Sequence, residues 1–137
     1  MARKKLIKAF VAGMAFPALF LPLAYTILFF VEPYSLHQHP LQFIPMYLPL
    51  VWGIANTVYI KLHDDNQNKG NVNSGLWVTG AILGFLVAVL GVFVIHIPTM
   101  IFGEMHGFEF APLVVLPLVY GLLFRYIVKW LNKLLAI

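Results

Sequence analysis

Two short stretches carry the groups best suited to chemistry. "HQHP" (37–40) sets His37 and His39 one residue apart, and "GEMHGFE" (103–109) sets Glu104 and His106 at the same spacing, with Glu109 following. Alternate residues share a side in extended chain, and Pro40 favours extended backbone at His39. His106 and Glu109 share a face if a helix begins there. Imidazole and carboxylate together suit zinc, iron, nickel or manganese, so these residues permit a divalent-cation site with Glu32 and His96 as additional or supporting ligands. The same groups could run acid–base chemistry on a water or hydroxyl, or titrate as a pH sensor. HxH alone is a weak signal, and polar connections between apolar segments need polar residues whatever their function.

The elements that must position these groups are apolar. Of 137 residues, 61% are hydrophobic and 10% charged, against about 25% charged in soluble domains. Four segments, roughly 6–31, 41–62, 76–98 and 108–131, each exceed the ~18 residues that mark a membrane span. The expected fold is therefore an all-α integral membrane protein, four transmembrane helices in a single bundle over residues 1–137. The opening "MARKKLIKAF" resembles a secretion signal. Its apolar run, however, is longer than the 7–15 residues of an h-region and contains Pro17 and Pro22, so it is read as a retained first helix.

Charge orients the bundle. Arg3, Lys4, Lys5, Lys8, Lys61, Lys69, Arg125, Lys129 and Lys133 all fall on one side of a four-span chain. The positive-inside rule then places both termini and the 63–75 loop in the cytoplasm, and the short compact chain suggests a bacterial inner membrane. Glu32, Glu104, Glu109, His37, His39, His96 and His106 fall opposite. The net charge of +4 thus describes a rim that attracts anionic lipid, and nucleic acid is not an expected partner. The absence of cysteine excludes thiol catalysis and thiolate metal sites. No carboxylate lies deep in a span, where proton-coupled export would want one.

Within the spans, Gly80, Gly84, Ala88 and Gly91 recur about one turn apart, a spacing that lets backbones approach closely. Ala9 and Gly13 offer a shorter version. "LPLAYT" (21–26), "LPLVWG" (48–53) and "LPLVYG" (116–121) each carry a second proline just upstream, so helices 1, 2 and 4 are expected to kink. The match between helices 2 and 4, which run in the same direction, is also what duplication of a two-helix hairpin would leave. Asn56 and Arg125 are the notable intramembrane polar groups, read either as interhelical hydrogen-bonders or as a small polar pocket. The resulting expectation is a non-enzymatic membrane subunit, self-associating or bound to a larger complex, with an outward His/Glu patch for a divalent cation such as zinc. An oligomeric channel or transporter component is the alternative, and a lipid-surface enzyme the third reading.

Overall fold

A computed structural model describes residues 2–31, 46–65, 72–94, 96 and 110–137. The described residues form helices and turns, with no strand among them. Helix α1 spans Ala2–Val31, α2 Leu48–Asp65 and α3 Val72–Val89, the last running on through a π-helical turn at Leu90–Val94. Helix α4, Pro112–Leu123, passes through a second π turn at Phe124–Val128 into α5, Lys129–Leu134. Three stretches are long and apolar enough to cross a membrane: Arg3–Ile27, Ser74–Val94 and Pro112–Leu134. Helix α2 falls short over its described length because it holds Asn56 and ends on Lys61, His63, Asp64 and Asp65. The start of its expected apolar run, residues 41–45, lies outside the described residues.

Two boundaries differ from the sequence reading. Helix α2 continues to Asp65 and α3 starts at Val72, so the ends of the expected 63–75 loop are helical. A helix has no reason to stop where its apolar run stops unless a capping or breaking residue intervenes, and "KLHDD" contains neither proline nor glycine. Prolines also fall differently along the helices. Pro112 opens α4 and Pro49 lies in the first turn of α2, positions where the missing N–H has no helical partner to lose. Pro17, Pro22 and Pro117 lie inside helices. Near Pro22, the Thr26 hydroxyl donates to the Pro22 carbonyl at 2.7 Å, the bond to the residue four back that a threonine within a helix makes.

Contacts divide the chain into two compact units, one comprising Met1–Lys61 with Leu131–Ile137, the other Leu62–Trp130. In the first, α1 and α2 pack antiparallel through glycine. A Cβ on Gly13 would stand 2.5 Å from the Trp52 carbonyl oxygen and 2.9 Å from the Asn56 Cβ, while one on Gly53 would strike the ring of Phe10. The Phe16 ring stacks on Trp52 at 5.7 Å and on Phe20 at 5.6 Å.

In the second unit, α3 packs antiparallel on α4. A Cβ on Gly80 would collide with the Tyr120 carbonyl and the Phe124 Cβ, and one on Gly84 with the Leu116 carbonyl. Gly121 lies under the Trp77 indole. Gly80, Gly84, Ala88 and Val92 are buried, every fourth residue of α3, as are Tyr120, Phe124 and Val128 on its partner. Residues four apart in an α-helix drift about 40° around the axis per step. The π turns at Leu90–Val94 and Phe124–Val128 hold more residues per turn and take back part of that drift. Gly91 of the expected small-residue row is only half-buried.

Candidate functional site

The best-defined polar cluster lies inside the first unit, on Asn56. Gly13 and Gly53 bring α1 and α2 close enough for the Asn56 amide to reach across: its Nδ2 donates to the Ala9 carbonyl at 2.7 Å. Ala9 is fully buried, and its small side chain leaves that carbonyl accessible. The second Asn56 N–H donates to Asn132 Oδ1 at 2.8 Å, and Asn132 Nδ2 returns a bond to Asn56 Oδ1 at 3.0 Å. Both amide hydrogens and the oxygen of Asn56 are thereby engaged. Asn56 and Asn132 are the buried polar side chains among the described residues. Two other hydroxyls, of Thr57 and Thr79, bond back to the carbonyls of Gly53 and Gly75 in their own helices.

Asn132 is held in turn by how α5 ends. Ile137 N–H donates to the Asn132 carbonyl at 3.0 Å and Ala136 N–H to the Lys133 carbonyl at 3.1 Å. These two bonds define a Schellman motif, with Ala136 in the left-handed conformation at φ 52° where glycine is usual. The Leu135 carbonyl accepts Lys8 Nζ at 2.9 Å, a cation at the negative end of the helix dipole. Two neighbouring sets of bonds, Lys8 with Leu135 and Asn56 with Ala9 and Asn132, therefore join α1, α2 and the end of α5 as one polar network. Amides do not titrate in the working range and are poor ligands for transition metals. The chemistry of this network is mechanical: it fixes three helix segments to one another.

Of the residues singled out by sequence, Asn56 is thus an interhelical hydrogen-bonder, with Ala9 and Asn132 as its partners. Arg125 is exposed and its guanidinium stands 5.6 Å over the ring of its neighbour Tyr126. His37, His39, Glu104, His106, Glu109 and Glu32 lie outside the described residues. His96 is described, exposed and at φ 55°, a left-handed conformation in which helices commonly end. Among the described residues no three His, Cys, Asp or Glu side chains lie close enough to share a metal ion.

Asn132 escaped the sequence reading, and Lys8 entered it only as one of the orienting cations. Asn132 falls just beyond the expected end of the fourth apolar segment and looks like a solvated helix end. Its one legible sign is the spacing of four from the apolar Val128. No family model matches this sequence, and no curated protein or solved structure matches it significantly.

Proposed function

We propose that the chain is a small non-enzymatic integral membrane protein that works as a structural subunit, self-associating or joined to a larger membrane complex. In this reading it crosses a bacterial inner membrane four times, both termini are cytoplasmic, and helices 1 and 4 bend at Pro17, Pro22 and Pro117. The observation that carries the reading is the Asn56–Asn132 pair. The two buried amides spend their hydrogen bonds on each other and on Ala9, which serves helix assembly and not substrate chemistry. The apolar residues turned outward support it further: Leu19, Phe30, Val114 and Leu134 are 65–79% exposed, a burden that a bilayer relieves and water does not.

The orientation has a direct test, since the chain has no cysteine. In intact bacteria, Ser35→Cys is expected to react with an impermeant maleimide and Ser74→Cys to react only after lysis. The reverse pattern would turn the topology over. The subunit reading predicts that crosslinking in membranes captures the chain in a species of defined higher mass, whereas a chain recovered only as monomer would refute it.

A second reading, a cation-binding outer mouth of an oligomeric channel or transporter, draws on one feature of the sequence. Four of the five histidines and three of the five acids share the side without a basic residue. Near-stoichiometric Zn²⁺, Mn²⁺ or Ni²⁺ in purified protein, lost in His37→Ala/His39→Ala, would establish it. A metal-free protein with no thermal shift on adding these ions would remove it.

A further inference from the structure

The first unit has an unbalanced charge. Its described residues include Arg3, Lys4, Lys5, Lys8, Lys61 and Lys133, and no carboxylate side chain. Three of these cations lie near the joined ends of α1 and α5. Lys8 is fixed by its bond to the Leu135 carbonyl, which uses one of its three N–H donors and leaves the others for a ligand. Lys133 stands two residues before that carbonyl, and Lys4 precedes Lys8 by one turn on the same face of α1. All three are exposed. Lys61 is left out of this group because Asp64 and Asp65 follow it on α2.

Below the cations the same face turns apolar. Val11 and Leu19 continue the row of Lys4 and Lys8 along α1 and are 46% and 79% exposed. From Lys8 to Leu19 the helix rises about 16 Å, close to half of a ~30 Å hydrocarbon core. A triad of cations above an apolar strip of one leaflet's depth matches a molecule with an anionic head and an acyl tail. Lys4 and Lys133 add two like charges near the fixed Lys8 ammonium, an arrangement that an anion relieves, and a soluble anion would leave the strip below uncovered.

We propose that Lys4, Lys8 and Lys133 form a specific site for the phosphate of an anionic phospholipid, whose acyl chain lies along Val11 and Leu19 of α1. The site goes beyond the subunit reading and rests on its membrane placement alone. The bound lipid would cover the Lys8–Leu135 bond and so protect the closure between the ends of α1 and α5.

The test is native mass spectrometry of the full chain in detergent, titrated with phosphatidylglycerol and with phosphatidylcholine. The wild type is expected to bind phosphatidylglycerol more tightly. Each lysine near a lipid surface contributes about 1 kcal/mol, roughly a fivefold change in affinity. Lys4→Gln/Lys133→Gln should therefore lose about 25-fold for phosphatidylglycerol with phosphatidylcholine unchanged, and Lys8 is kept so that the Leu135 bond survives. Lys4→Arg/Lys133→Arg, which preserves charge, should retain the preference. Equal binding of the two lipids by the wild type, or an undiminished preference in the glutamine variant, would overturn the site. Displacement of phosphatidylglycerol by millimolar inorganic phosphate would assign it to a soluble anion instead. A chain that binds neither lipid and stays dispersed without detergent would sink the membrane placement itself, an outcome distinct from the others.

Discussion

The two helix pairs repeat one crossing with one conspicuous exception. Gly13 meets the carbonyl of Trp52 and the Cβ of Asn56, and Gly80 meets the carbonyl of Tyr120 and the Cβ of Phe124. Phe10 covers Gly53 as Trp77 covers Gly121. Trp52, Asn56 and Ile60 are buried in the first pair at the spacing of Tyr120, Phe124 and Val128 in the second. Aligning "LPLVWG" with "LPLVYG" gives this same correspondence. The likeness therefore extends from sequence to packing, as duplication of a hairpin would leave it. The exception is that Asn56 stands where the second pair has Phe124. One pair is closed by an apolar ring and the other by a hydrogen-bonded amide, so the two should respond alike to crowding of the glycines and differently at this position.

Crowding has the largest expected effect. Alanine is better than glycine in a helix by about 1 kcal/mol, but at Gly13 and Gly80 its methyl must displace a backbone carbonyl, which cannot rotate away as a side-chain tip can. Overpacking of this kind costs about 1–3 kcal/mol and occasionally more. Gly13→Ala and Gly80→Ala are each expected to lower stability by about 2–3 kcal/mol in reversible unfolding from mixed micelles. Similar losses in both would support the equivalence of the pairs. A loss in only one would break it.

At the exception the expected effects are smaller and take a different form. Asn56→Leu strands the Asn132 amide in a buried place and removes a bond to the Ala9 carbonyl, a cost of about 1–3 kcal/mol. Replacing both partners with apolar residues can be nearly neutral, so Asn56→Leu/Asn132→Leu is expected to recover much of the loss. A double-mutant cycle should return a coupling of about 0.6–1.7 kcal/mol, the range for interhelical hydrogen bonds in membranes. Additive effects would show that the two amides do not depend on each other, and the network would lose its central link.

Sequence made the repeating and apolar parts of the molecule legible and left its closures hidden. Three long apolar helices follow from hydropathy alone, because twenty-odd apolar residues in a row leave few alternatives. The small residues Gly13, Gly80 and Gly84 follow from spacing, since only a close crossing makes use of them at one-turn intervals. Asn56 stood out as an amide within an apolar run, but its partner did not. Asn132 sits among lysines at a helix end, where a polar residue needs no explanation, and only the burial imposed by packing distinguishes it. The Lys8–Leu135 bond joins the two ends of the chain through a backbone carbonyl, and a carbonyl has no sequence signature. The π turns have none either: Leu90–Val94 and Phe124–Val128 contain no proline, and they follow from keeping every fourth residue on the buried face.

The end of α5 gives a gain where the other substitutions give losses. Ala136 holds φ 52° at the position where glycine normally closes a Schellman motif, and a left-handed conformation costs a residue with a Cβ roughly 1–2 kcal/mol. Ala136→Gly is expected to stabilise by about 1 kcal/mol, somewhat less than the strain because glycine also loosens the unfolded chain. No change in unfolding midpoint would mean that the turn is not strained.

The smallest effect belongs to Lys8, and its salt dependence is the informative part. A lysine on the terminal carbonyl of a helix contributes about 0.3–1 kcal/mol at low ionic strength, through hydrogen bonding and the dipole. Lys8→Met keeps the apolar stem and removes the ammonium, so it should cost an amount in that range. Because Lys8 is exposed, raising the salt to about 1 M shortens the screening length to about 3 Å and should shrink the difference from the wild type. The glycine substitutions, whose cost is steric, should keep theirs. If Lys8→Met and Gly13→Ala responded to salt in the same way, the ends of α1 and α5 would be held by packing and not by the charged bond. The amide pair at Asn56 would then stand alone as the feature separating the first helix pair from the second.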